Sequence, residues 1–290
     1  MKSPERCASP LYGSSHEYAM LLLKSCSAYL PMPFTLSHPA AILPLRPLLG
    51  RFGVLSALVI GSMAPDFPYF VGKLWPRIYT HTLESVIWFS LPAGWCVYVL
   101  FEYILRRPIW FVLPGIFRQR LSPEPQFGGI LPVSVCLILG AFTHVTWDAF
   151  THSSGALVRH FPILQLHWAT LFDYQIWSYK ILQHGSTLLG GLSLMIAIFW
   201  WQTHTPACFP LAESTAEKKL RGMGRLLLLL GPIVAGLAIG LLFSPPSLAS
   251  VRSIARFIAY VVISGLSTTL LLLGFLSLRL SLRQDTVQDT

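Results

Sequence analysis

LLLLLGPIVAGLAIGLLF, residues 226–243, runs on to Val251 without one Asp, Glu, Lys, Arg or His. A helix of that length in water needs a polar face, so this stretch calls for lipid around it. The rest of the 290-residue chain agrees: 53% of it is hydrophobic, only 11% is charged, and the mean hydropathy is +0.59. Those values lie far outside the range of soluble domains. We expect an all-α fold, a polytopic transmembrane helical bundle.

Four more segments are apolar and long enough to span: Ser85–Leu105, Gly128–Phe150, Tyr179–Trp201 and Ile254–Leu278. Two shorter runs precede them, Ala40–Leu49 and Val54–Ala64. At about 1.5 Å per residue, each covers little more than half of the hydrocarbon, so a helical hairpin fits better than two spans. Ser37 is placed to cap its first arm and Pro39 to sit in the first turn. Such a hairpin brings His38, at the start of one arm, near Asp66, at the end of the other.

Basic residues follow three of the spans: Arg106, Arg107, Arg118 and Arg120; Lys218, Lys219, Arg221 and Arg225; Arg279 and Arg283. The positive-inside bias makes that side cytoplasmic and leaves the loops 66–84, 150–178 and 244–253 outside. The net charge of +9 is thus spread over short clusters between spans and forms no stripe, so no nucleic-acid partner is expected. Five cysteines show no CxxC or CxxH spacing, which gives neither a disulfide framework nor a cysteine zinc site. The division is residues 1–31 as a poorly ordered extension or mis-annotated start, 32–201 as the membrane core, 202–225 as a basic cytoplasmic loop, and 226–290 as two further helices with a short tail.

Chemistry concentrates in GAFTHVTWDAFTH, residues 140–152. His144, Asp148 and His152 are spaced four apart, so on a helix they project along one stripe. Imidazoles and a carboxylate in that pattern suit zinc, manganese or iron. A hydrogen-bonded pair that stitches two helices is the plainer reading of the same spacing. Convergence tips the balance, because the topology brings His38, Asp66, His81 and His184 to the same face. Three or four protein ligands would leave a position for water, and Glu84 is the candidate general base. There is no GxSxG, HExxH, Walker A or GxGxxG motif, which removes serine-nucleophile, zincin and nucleotide readings.

MPFTLSHPAA at 32–41, GSMAPDF at 61–67, His81-Thr82 and GAFTHVTWDAFTH at 140–152 resemble the bacterial membrane family catalogued as domain of unknown function 4184. Tyr179–Ser186 is similar to that family's later motif. More distantly, the order His, Pro-Asp, His, then GxxxHxxxD resembles the YdjM-like inner-membrane proteins, described as metal-dependent hydrolases. That resemblance implies His38, Asp66, His81, His144 and Asp148 as ligands and the bacterial cytoplasmic membrane as the location. The relatives tend to carry Asp-x-Asp where this chain has Asp66-Phe67-Pro68, which argues against two metals.

Two functions are expected to compete. One is a metal-dependent hydrolase, holding zinc or, as second choice, manganese on His38, Asp66, His81, His144, Asp148 and His152, and acting on a lipid-like, membrane-proximal ester or phosphoester. The other is a non-enzymatic membrane protein, a proton- or ion-coupled transporter or an assembly factor, with a structural His/Asp cluster.

Overall fold

The computed structural model describes residues 35–69, 77–171, 174–209, 214–246 and 251–288. The expected extension, residues 1–31, lies outside them. The bundle is the expected one, with five helices among the described residues long and apolar enough to cross a membrane. Ahead of them comes a hairpin: a 3-10 segment, Thr35–Ile42, a tip of short helical turns, then helix α1, Leu55–Met63, and a second 3-10 turn, Ala64–Tyr69. Pro39 lies inside the first 3-10 segment, and the expected cap Ser37 lies within it too.

The first spanning helix, α2, covers Val86–Val112. Its start is fixed by a reciprocal cap, in which Thr82 N–H donates to Ser85 Oγ and Ser85 N–H to Thr82 Oγ1, both at 3.1 Å. Two π-helical stretches, Val86–Ser90 and Phe101–Leu105, interrupt it. Helix α3 covers Ile130–Thr151, α4 Ser178–His204, α5 Thr215–Phe243 and α6 Val251–Gln288. The 202–225 segment read as a loop is therefore helical from Thr215. Ser214 starts α5 with a capping box to Glu217, and the basic turn continues directly into the apolar run. A small exposed hairpin, β1 (His167–Leu171) paired antiparallel with β2 (Tyr174–Trp177), fills part of the loop before α4.

Two units share the bundle. Helices α5 and α6 pack chiefly on each other and on the far end of α2, where Arg225 donates to the carbonyls of Val112 and Leu113. The site-bearing unit is built on the crossing of α1 and α3. There Gly61 and Gly140 face the opposite backbones: a Cβ on Gly61 would lie 2.8 Å from Leu137 Cα, and one on Gly140 would lie 2.6 Å from Ser62 N. Small residues at a crossing let membrane helices approach to backbone contact. Around it pack Ala57, Leu58, Ile60, Val133, Cys136 and Leu137, all buried. We expect Gly140→Ala to push α1 off α3, lowering the melting temperature in detergent by roughly 5 °C or more; an unchanged melt would show that the crossing tolerates a methyl group.

Toward the other end of α1 lies a separate polar knot. Glu102 is fully buried and accepts from Arg106 Nε at 2.6 Å, Arg106 NH2 at 2.7 Å, Ser56 Oγ at 2.9 Å and the Gln126 N–H at 2.9 Å. Four donors on one carboxylate tie α1, α2 and the chain entering α3 together.

Candidate metal centre

The end of the α1–α3 crossing opposite Glu102 decides what the protein can bind. Ser62 lies in the last turn of α1, where helical carbonyls lack intrahelical partners. The close glycine crossing brings its carbonyl to His144, and His144 Nδ1–H donates to Ser62 O at 2.7 Å. That bond fixes the tautomer and turns the Nε2 lone pair inward, the arrangement metal-ligating histidines use.

Asp66 sits on the 3-10 turn that ends α1, buried to 4% exposure, between Pro65 and Pro68. His81 follows the helical turn Arg77–Thr80; Thr80 Oγ1 lies 2.9 Å from its Nδ1, which leaves Nε2 facing Asp66. One turn beyond His144 comes Asp148. Its Oδ2 and Asp66 Oδ1 alternate with two imidazole nitrogens in a closed ring: Asp66 Oδ1 to His81 Nε2 at 3.1 Å, His81 Nε2 to Asp148 Oδ2 at 3.5 Å, Asp148 Oδ2 to His144 Nε2 at 3.3 Å, and His144 Nε2 to Asp66 Oδ1 at 3.7 Å. Donors on one zinc ion with bonds of about 2.0–2.1 Å stand roughly 3.3 Å apart in tetrahedral geometry. The four sides of the ring, 3.1–3.7 Å, bracket that value.

Two more imidazoles flank it. His38, from the first arm of the hairpin, stacks on His144 with ring centres 3.9 Å apart, and its Nε2 is 3.8 Å from Asp148 Oδ1. His152, at the end of α3, places Nδ1 3.4 Å from the same oxygen, and Gln183 of α4 reaches its Nε2 at 2.9 Å. Asp148 is thus within 3.8 Å of all four histidines. Two overlapping ligand groups result, His38–His144–Asp148 and Asp66–His81–His144.

A divalent ion fits these residues on two grounds. Two carboxylates buried in one cluster need positive charge nearby, and a divalent cation held between them supplies it. His144 Nε2 is also fully buried and makes no well-formed hydrogen bond, although oxygens stand 3.3 and 3.7 Å away. Such an atom costs stability unless a proton or a cation meets it.

The structure gathers His38, Asp66, His81, His144, Asp148 and His152. It leaves Glu84 on the turn after His81 with its side chain exposed. His184, expected on the same face, points away, toward Tyr174 Oη at 2.8 Å. One residue is about 100° of rotation on a helix, so Gln183 faces the cluster in its place. Sequence reasoning missed Gln183, the buried residue of a helix whose other residues are half-buried or exposed. The Ser62 carbonyl was missed because backbone groups leave no mark on residue identity.

Residues 32–275 match the profile of a family described as domain of unknown function (DUF4184). No curated protein and no solved structure matches the chain.

Proposed function

Because the chain belongs to the family of the domain of unknown function (DUF4184), whose description assigns no chemistry, we propose a function from the site itself: metal-dependent hydrolysis of a membrane-proximal ester or phosphoester. The carrying observation is the ring of Asp66, His81, Asp148 and His144, with His144 Nε2 held inward by the Ser62 carbonyl. Zinc is the first choice for a set of imidazoles and carboxylates, manganese the second.

A bound divalent ion would polarise the substrate's carbonyl or phosphoryl oxygen and bring the pKa of water toward neutrality. The chain supplies the rest. His38 and Asp148 face an adjoining cavity and position the scissile group there. Water adds its oxygen to the acyl or phosphoryl centre, the ester bond breaks, and the departing alkoxide takes up a proton. His152, the most exposed of the four histidines (15% of its side chain against 8% or less), is our candidate to pass a proton from the attacking water to the alkoxide. It replaces Glu84 as general acid–base in this reading. The bacterial cytoplasmic membrane is the proposed location.

The competing relay needs polar groups that continue across the bilayer. Between the cluster and Glu102, at opposite ends of α1, lie buried Ala57, Leu58, Ile60 and Leu137. That apolar layer favours a site working at one face.

Detergent-purified protein is expected to hold close to one zinc or manganese per chain. Dialysis against a chelator should remove it, together with any hydrolysis of chromogenic carboxylic and phosphoric esters, and re-addition of zinc should restore both. Well-folded protein that takes up no divalent ion would overturn the proposal in favour of a proton-linked or structural cluster.

A further inference from the structure

A cavity of about 250 Å³ opens between the Thr35–Ile42 segment, α3 and α4, and His38 and Asp148 form part of its wall. The cluster therefore has a side entrance. Two hydroxyls from α4 line it, and both are already engaged. Thr187 Oγ1 donates to the Gln183 carbonyl at 2.9 Å; Ser186 Oγ donates to that carbonyl at 3.0 Å and accepts from Trp147 Nε1 at 3.1 Å. What they leave for a ligand is mainly hydrocarbon surface, joined by Ala40, Ala41 and the Trp147 ring.

The rim faces the outside of the bundle. Ala41 is exposed, Trp147 is 38% exposed, and Leu188, next to Thr187, is 75% exposed. Beyond the cavity α4 presents Leu192 and Met195 outward as well. The Trp147–Ser186 hydrogen bond props α3 and α4 at a fixed separation, while Gly190 lets α4 close on Ser37, where a Cβ would come within 3.0 Å of the Ser37 carbonyl. Trp147 thus bridges α3 to α4 at the cavity wall, and the Gly190–Ser37 contact joins α4 to the Thr35–Ile42 segment one turn further on.

We propose that this cavity takes the head-group-proximal part of one acyl chain of a membrane lipid, which enters sideways from the bilayer past the exposed Ala41 and Trp147. The assignment rests on the hydrolase reading and names its substrate class, an acyl-bearing lipid rather than a water-soluble ester. Size agrees, since the volume is below the roughly 300–1,000 Å³ of pockets that enclose whole ligands, so the rest of the chain stays in the bilayer.

A lysophospholipid with a photoactivatable diazirine in its chain tests this, with the full chain in vesicles of phosphatidylethanolamine and phosphatidylglycerol. Peptides containing Ala40–Ala41 and Gln183–Thr187 should be labelled. Ala41→Phe and Thr187→Leu, which fill the cavity from different walls, should each cut that labelling at least fivefold while labelling of Leu192–Met195 stays constant. Labelling confined to Leu192–Met195, or undiminished in both variants, overturns the proposal. Zinc content of the same samples reports separately: cavity labelling without zinc keeps the lipid site and removes the hydrolase, and zinc without cavity labelling does the reverse.

Discussion

Asp148→Ala is expected to weaken zinc binding by at least about 100-fold, more than any other single change in the cluster. Loss of residues that merely support ligands costs 10–100-fold, and Asp148 is both a ring member and the one group within 3.8 Å of all four histidines. Its removal leaves one carboxylate to balance a dication and frees His38 and His152 from their shared partner. Titration of metal-depleted protein with zinc, by calorimetry or by competition with a chromogenic chelator, reads the effect. His184→Ala is the matched control and should bind zinc like the parent, because His184 pairs with Tyr174 away from the cluster. Undiminished zinc affinity in Asp148→Ala would sink the ring as the metal centre.

The second large effect is on stability. Glu102→Ala should destabilise the bundle by about 3–5 kcal/mol, the cost of leaving one member of a buried ion pair without its partner. Arg106 would keep its charge inside the bundle, and Ser56 and the Gln126 N–H would lose their acceptor. Unfolding in mixed micelles, followed by tryptophan fluorescence, measures the loss. Replacing both partners by apolar residues, Glu102→Leu with Arg106→Met, should recover part of it, because no uncompensated charge remains. A loss below about 1 kcal/mol for Glu102→Ala would mean that water or head groups reach the pair, as at an exposed ion pair.

Much of this architecture was legible in the sequence. Uninterrupted apolar runs placed the five spans, since in lipid the backbone must satisfy its own hydrogen bonds and helix is the solution open to a single segment. The spacing of His144, Asp148 and His152 exposed the stripe on α3, because side chains four apart share a helix face. Hairpin reasoning then brought His38 and Asp66 to the same end. What the sequence concealed is of other kinds. The start of α5 at Thr215 was hidden by Lys218, Lys219, Arg221 and Arg225, which read as a loop though they form the polar end of a helix. The choice between Gln183 and His184 depends on rotation of α4, and an apolar helix with weak amphipathicity does not declare it. The role of Ser62 depends on a carbonyl, and that of the cavity on an empty volume between three segments, neither of which is a property of any residue type.

The division of the bundle into two units also bears on how the protein is made. All the candidate ligands lie between His38 and His152, and Gln183 completes their surroundings on the next spanning helix. Helices α5 and α6 pack elsewhere, and α5 begins only at Thr215. A ribosome has therefore delivered every part of the site before it translates the last two spans. In the proposed reading a metal ion can be captured while the chain is still being threaded into the bilayer, and a ligand set closed that early would hold α1 and α3 in register as the final helical pair arrives.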